Sequence, residues 1–100
     1  MRSGEVTFFT PNTGACGNKN KASDLIVALG SAYYGSFNKE SSYCGDQIYI
    51  ETADGKKHVT VTVQDACESC AKDHLDLSPA AFEKLGSFVT GVLQIKYKFL

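Results

Sequence analysis

The sequence predicts a mainly β, barrel-like domain with one or two short helices. Three observations point there. Apolar residues alternate with a period of two in four separate segments, Gly and Asn cluster between strand signals, and one stretch carries the start signals of a proper helix. The chain has 100 residues, 43% of them hydrophobic. That suffices for one folded domain over residues 1–100, near the small end of what a single core supports.

Taken in order, "EVTFF" at 5–9 places Val6 and Phe8 on one face of a strand. The glycines and asparagines of "TPNTGACGNKN" make 10–20 a loop. "LIVAL" at 25–29 reads as a buried strand, followed by a short turn of helix opened by Ser31. "DQIYIETA" keeps Ile48 and Ile50 in phase, Asp54-Gly55 signals a hairpin, and "HVTVTVQ" sets Val59, Val61 and Val63 against Thr60 and Thr62. The following "AKDHLDL" does not make a convincing helix. In "SPAAFEKLG", Ser78 is an N-cap type, Pro79 suits the first helical position, and Gly86 is expected to end the helix in the left-handed conformation. The final "VLQIKYKFL" alternates Leu93, Ile95, Tyr97 and Phe99, leaving Lys96 and Lys98 to solvent.

Charge and cysteines narrow the function classes. Ten Lys+Arg balance eleven Asp+Glu for a net charge of −1, with no basic stripe to release counterions, so no nucleic-acid partner is expected. "LIVAL" is too short to cross a bilayer, and no membrane partner is expected. "MRSGEVTFF" has no apolar leader core, yet four cysteines in so short a chain suit an oxidising compartment. The expectation is therefore a secreted, extracellular protein whose signal peptide has been removed.

Of Cys16, Cys44, Cys67 and Cys70, only the last two have the spacing of a zinc-ligand pair. A thioredoxin-like role would place that pair at a helix start, which "AKDHLDL" does not supply. Structural disulfides are the simpler reading. Three connectivities are open, and Cys16–Cys44 with Cys67–Cys70 is the one expected. No metal or cofactor is expected.

"GEVTFFTPNTGACG" at 4–17 resembles the opening motif of the expansins and expansin-like proteins, and "VTVQDACESC…LDLSPAAFEKLG" resembles the segment bearing their polar groove residues. "VLQIKYKFL" is similar to the last strand of their first domain, and the pattern is nearest the single-domain fungal loosenins. The resemblance covers nearly the whole chain and implies a six-stranded double-psi β-barrel. Thr7 matches the threonine of the expansin Thr-aromatic motif, followed by Phe8 and Phe9. Asp65 matches the aspartate ending the groove strand, and Asp76 the aspartate on which expansin activity chiefly depends. The resemblance thus implies a polar, non-hydrolytic groove of Asp76 and Asp65, with Thr7 and Phe9 binding substrate. Cys67 stands where bacterial expansins place a groove tyrosine. From residue type alone, Asp76 would instead be read as a loop aspartate accepting backbone N–H groups, and Asp65 as a turn organiser.

Two departures shape the functional expectation. Full expansins carry a second β-sandwich domain with an aromatic strip, and no second carbohydrate-binding domain is expected here. Glycosidases need two carboxyl groups, about 5–5.5 Å or 6.5–9.5 Å apart according to mechanism. Between Glu5 and Asp24 the chain has no acidic residue, which leaves Glu5, on the same strand face as Thr7, as the only second acid from the first motif. The expected function is a secreted, non-lytic protein that binds and loosens cellulose, xyloglucan or chitin as a monomer. The alternatives are a weak glycan-cleaving enzyme and a protein-binding module, such as a cysteine-protease inhibitor or effector. Among the aromatics of segment 31–45, Tyr33 or Tyr34 is expected to line the binding surface. His58 and His74 are read as surface histidines.

Overall fold

The computed structural model describes residues 1–100. Six strands and two short helices run in the order β1 (Arg2–Phe8), β2 (Ile26–Leu29), α1 (Ser31–Tyr34), β3 (Gln47–Thr52), β4 (His58–Ala66), β5 (His74–Leu77), α2 (Pro79–Glu83) and β6 (Leu93–Phe99). They close into a barrel ordered β1-β5-β2-β4-β3-β6. β1 pairs with β5, and β2 with β4, in parallel. The contacts β1–β6, β2–β5, β3–β4 and β3–β6 are antiparallel. Closure leaves no free edge, so every strand presents one face inward and one outward.

The inward set is the alternation read from the sequence. Val6, Val27, Leu29, Ile48, Ile50, Val61, Val63, Leu75, Leu77 and Tyr97 are fully or almost fully buried and fill the barrel. Burial of each aliphatic among them contributes about 1.5–3 kcal/mol, which favours this register over a one-residue slip that would turn the set outward. Phe82 and Leu85, from α2 and the turn after it, extend the same core. No buried side-chain nitrogen or oxygen lacks a hydrogen-bond partner.

The β3–β4 hairpin turns at Gly55, whose φ is 75°, as the Asp-Gly pair requires. Two local expectations need correction. Gly86 does not take the left-handed conformation; the positive-φ glycines are Gly17, Gly35, Gly45, Gly55 and Gly91. The helix closes earlier, at a right-handed Lys84, and the chain then turns over Ser87–Thr90 through a 3.1 Å backbone bond. Ser78 stands at the N-cap position but makes no side-chain cap. Its hydroxyl is buried and committed elsewhere, donating to the Asp24 carbonyl at 2.5 Å and accepting the Ile26 N–H at 3.3 Å. It ties the start of α2 to the start of β2.

Candidate functional site

Parallel pairing of β1 with β5 sets Glu5 opposite His74 and Thr7 opposite Asp76. Because Val6, Leu75 and Leu77 point inward, these four polar residues share the outer face. Thr7 Oγ1 donates to Asp76 Oδ1 at 2.8 Å. The same oxygen lies 2.8 Å from His74 Nε2. His74 is therefore part of the cluster rather than an incidental surface histidine. Reading "HLDL" as a strand would have revealed it, since residues 74 and 76 then share Thr7's face.

Ala28 of β2 is in register with Asp76 on one side and with Asp65 of β4 on the other. Two strand spacings, roughly 10 Å of backbone, therefore separate the aspartates, and the Ala28 methyl between them is buried in a cluster with Cys67 and Cys70. Their environments differ. Asp65 Oδ1 accepts the N–H groups of Ala15 and Ala66, both at 2.8 Å. It holds the 10–20 loop against the end of β4. Asp76 is half-buried, and this burial pushes its carboxyl above the ordinary carboxylate range, reinforced weakly by the Asp65 charge and opposed by the Thr7 hydrogen bond and His74.

Cys67–Cys70 and Cys16–Cys44 are both disulfides. An Asp76 carboxylate oxygen and both sulfurs of the first pair lie within 4.8 Å of one another. With the sulfurs joined to each other, the trio offers one ionisable ligand and forms part of the groove wall. The pair packs with Ala28, and Phe9 lies against that small cluster. Gly30 permits this approach: a Cβ there would run into the carbonyl oxygen of Cys70. Phe9 thus borders the groove, whereas Phe8 turns away to pack, tilted, against Phe82 and Phe88, each at a centroid distance of 4.9 Å.

The two tyrosines do not join this cluster. Tyr34 is 3% exposed and belongs to the core, so it offers no binding face; the inward side of α1 must pack on the barrel. Tyr33 is half-buried at a neighbouring site, its hydroxyl 2.9 Å from that of Tyr97. Tyr97 donates to Asp73 at 2.5 Å, and Arg2 grips the same carboxylate through Nε at 2.8 Å and a terminal nitrogen at 3.1 Å. Arg2 and Tyr97 hold the Asp73 carboxyl down to about 2, while burial, then Asp73 and Tyr33, push the Tyr97 phenol up. Between these two clusters lies a shallow depression of about 420 Å³ lined by Glu5, Lys72, Asp73, His74 and Gln94 among others. His58 is exposed and stacks on Tyr49.

The family model described as lytic transglycolase (DPBB_1) matches residues 2–97. The papain inhibitor of Streptomyces mobaraensis is 34% identical over 100 residues, spanning 97% of this chain and 70% of the inhibitor. Expansin-like protein 3 of Dictyostelium discoideum is 36% identical over 99 residues, spanning 88% of this chain but 28% of that protein. An aspartate-to-asparagine mutant of the Clavibacter michiganensis expansin, solved in complex with cellohexaose, superposes with a TM-score of 0.83 at 30% identity. That alignment covers 98% of this chain and 49% of the expansin. The likeness to expansins drawn from the motifs and the double-psi β-barrel fold are thus shown.

Proposed function

The chain belongs to the DPBB_1 family, described as lytic transglycolase, and from that premise we propose that it binds cell-wall polysaccharide along the Thr7–Asp76 groove without cutting it. The observation that carries this reading is the pairing of Asp76 with Thr7 on the outer face of the barrel, beside the Cys67–Cys70 pair and with Asp65 two strands away. A carboxyl group and a hydroxyl so placed can take over hydrogen bonds that glucan chains make with one another. Phe9, packed against the Cys67–Cys70 cluster beside them, supplies an apolar ring of the kind that receives the C–H groups of a sugar on its face. Cleavage would need a second carboxyl free to activate water or attack the sugar. Asp65 is engaged by two backbone N–H groups, which favours a holding role for it. The two disulfides suit an extracellular setting.

The test is depletion of the protein from solution by insoluble cellulose, xyloglucan-coated cellulose and chitin, with reducing ends assayed in the same tubes. Binding without new ends supports the proposal. New ends would make the protein an enzyme and direct attention to Glu5, while absence of binding would refute the proposal.

The papain inhibitor's alignment over nearly the whole chain favours a second reading, in which the protein blocks a cysteine protease. The 10–24 and 67–72 loops would then carry the contacts, and Asp76→Asn would leave inhibition unchanged. Inhibition of papain measured with a fluorogenic peptide separates the two readings.

A further inference from the structure

Thr7 has one hydroxyl proton and two neighbours at 2.8 Å, the Asp76 carboxylate and the His74 imidazole. It can donate to only one of them. When it donates to an ionised Asp76, His74 Nε2 must carry a hydrogen and donate to the Thr7 oxygen. When Asp76 is protonated, its O–H can donate to Thr7, whose hydroxyl then turns to the bare Nε2 of His74. The same three heavy-atom positions accommodate both patterns. His74 makes no other side-chain hydrogen bond, and its ring borders the open depression shared with Glu5 and Lys72.

We propose that His74 is a positioning residue for Asp76, trading a proton with it through the Thr7 hydroxyl and so setting whether the groove meets a ligand with a carboxylate or a carboxylic acid. In that exchange the imidazolium Nε2–H bond breaks as an O–H bond forms on Thr7. The original Thr7 O–H bond breaks as one forms on Asp76. Imidazolium and carboxylate become imidazole and carboxylic acid, and no proton enters or leaves. A carboxylic acid can donate a hydrogen bond to a glycosidic or hydroxyl oxygen, whereas a carboxylate can only accept. The surrounding charges are few. β1 contributes Glu5, opposite His74; β4 contributes Asp65; β2 contributes only the Ala28 methyl at this register. The loop before β5 adds Glu68, Lys72 and Asp73, of which Asp73 is engaged by Arg2 and Tyr97. The direct charge of His74 also lowers the Asp76 carboxyl, opposing the effect of burial, and the exchange through Thr7 acts in addition to it.

This inference rests on the reading of Asp76 as the ligand-facing carboxyl, but its test needs no polysaccharide. Asp76 Cγ and the His74 ring nitrogens are followed by NMR as pH is varied. In the wild type the Asp76 signal should show a second inflection at the His74 midpoint. His74→Gln should remove that inflection and raise the Asp76 midpoint. Thr7→Val should shrink the inflection to what the direct charge of His74 leaves, and Thr7→Ser should keep it at full size. A single wild-type inflection unaffected by His74→Gln would overturn the proposal. So would a second inflection that is as large in Thr7→Val as in the wild type, because the coupling would then bypass the hydroxyl. Failure to bind polysaccharide would leave these titrations untouched, so the two readings fail separately.

Discussion

Replacing each disulfide by a pair of alanines should separate fold stability from groove architecture. Cys16 lies in the β1–β2 loop and Cys44 just before β3, closing a separation of 28 residues, whereas Cys67 and Cys70 are 3 apart. On the chain-entropy account the long loop is worth about 3.6 kcal/mol and the short one about 1.9 kcal/mol. Alanine avoids leaving a hydroxyl in a buried site, and both pairs lose sulfur packing. The difference between them, about 1.7 kcal/mol, is therefore the cleaner quantity. At roughly 4–8 °C per kcal/mol for a domain of this size, Cys16→Ala/Cys44→Ala should melt about 7–14 °C below Cys67→Ala/Cys70→Ala. Location sharpens the contrast. Cys16 belongs to the main core, while Cys67 and Cys70 pack with Ala28 beside the groove. The short-loop variant should therefore change the Asp76 titration and polysaccharide binding more than it changes stability. The assay is urea unfolding with midpoint and m-value fitted separately, since removing a cross-link also expands the unfolded chain, with thermal melts in parallel. If the short pair costs as much stability as the long one, the chain-entropy reasoning is refuted.

Three further outcomes are expected. The Asp73 carboxyl is depressed to about 2 chiefly by the Arg2 hydrogen bond, so its contribution is present above the ordinary carboxylate range and disappears as pH falls through about 2; Asp73→Asn should flatten the acid limb of stability against pH, modestly because both partners are partly exposed. The Asp76 carboxyl is raised by burial, so ionising it weakens the fold as pH rises above the ordinary carboxylate range; Asp76→Asn should be at least as stable as the wild type at pH 7 by urea unfolding, while losing polysaccharide binding. Gly30→Ala drives a methyl into the Cys70 carbonyl and should cost about 1–3 kcal/mol, read as a lowered urea midpoint.

Much of the barrel could be read directly because its inward residues alternate without interruption. Val59, Val61 and Val63, then Ile95 and Tyr97, leave one solution for the core face. β5 was harder. It is four residues long, follows a disulfide loop, and pairs in parallel with a strand some 70 positions earlier in register, as with Glu5 and His74. Such a pairing has no local signature, and missing it concealed His74. Motif resemblance located Thr7, Asp65 and Asp76, but their separation across Ala28 depends on the β2 register, where the pairing with β4 shifts between Val27 and Ala28. Tyr33 and Tyr34 are adjacent and chemically alike. Only the seating of α1 against the barrel distinguishes the core ring from the half-buried one.

The central claim is that a glycan occupies the face carrying Thr7, His74 and Asp76. Backbone amide shifts recorded during titration with cellohexaose test it most directly. The account predicts saturable shifts concentrated at Thr7, Phe9, Ala28, His74 and Asp76, and their loss in Asp76→Asn. Shifts confined to other faces, or none at saturating sugar together with tight inhibition of papain, would contradict it.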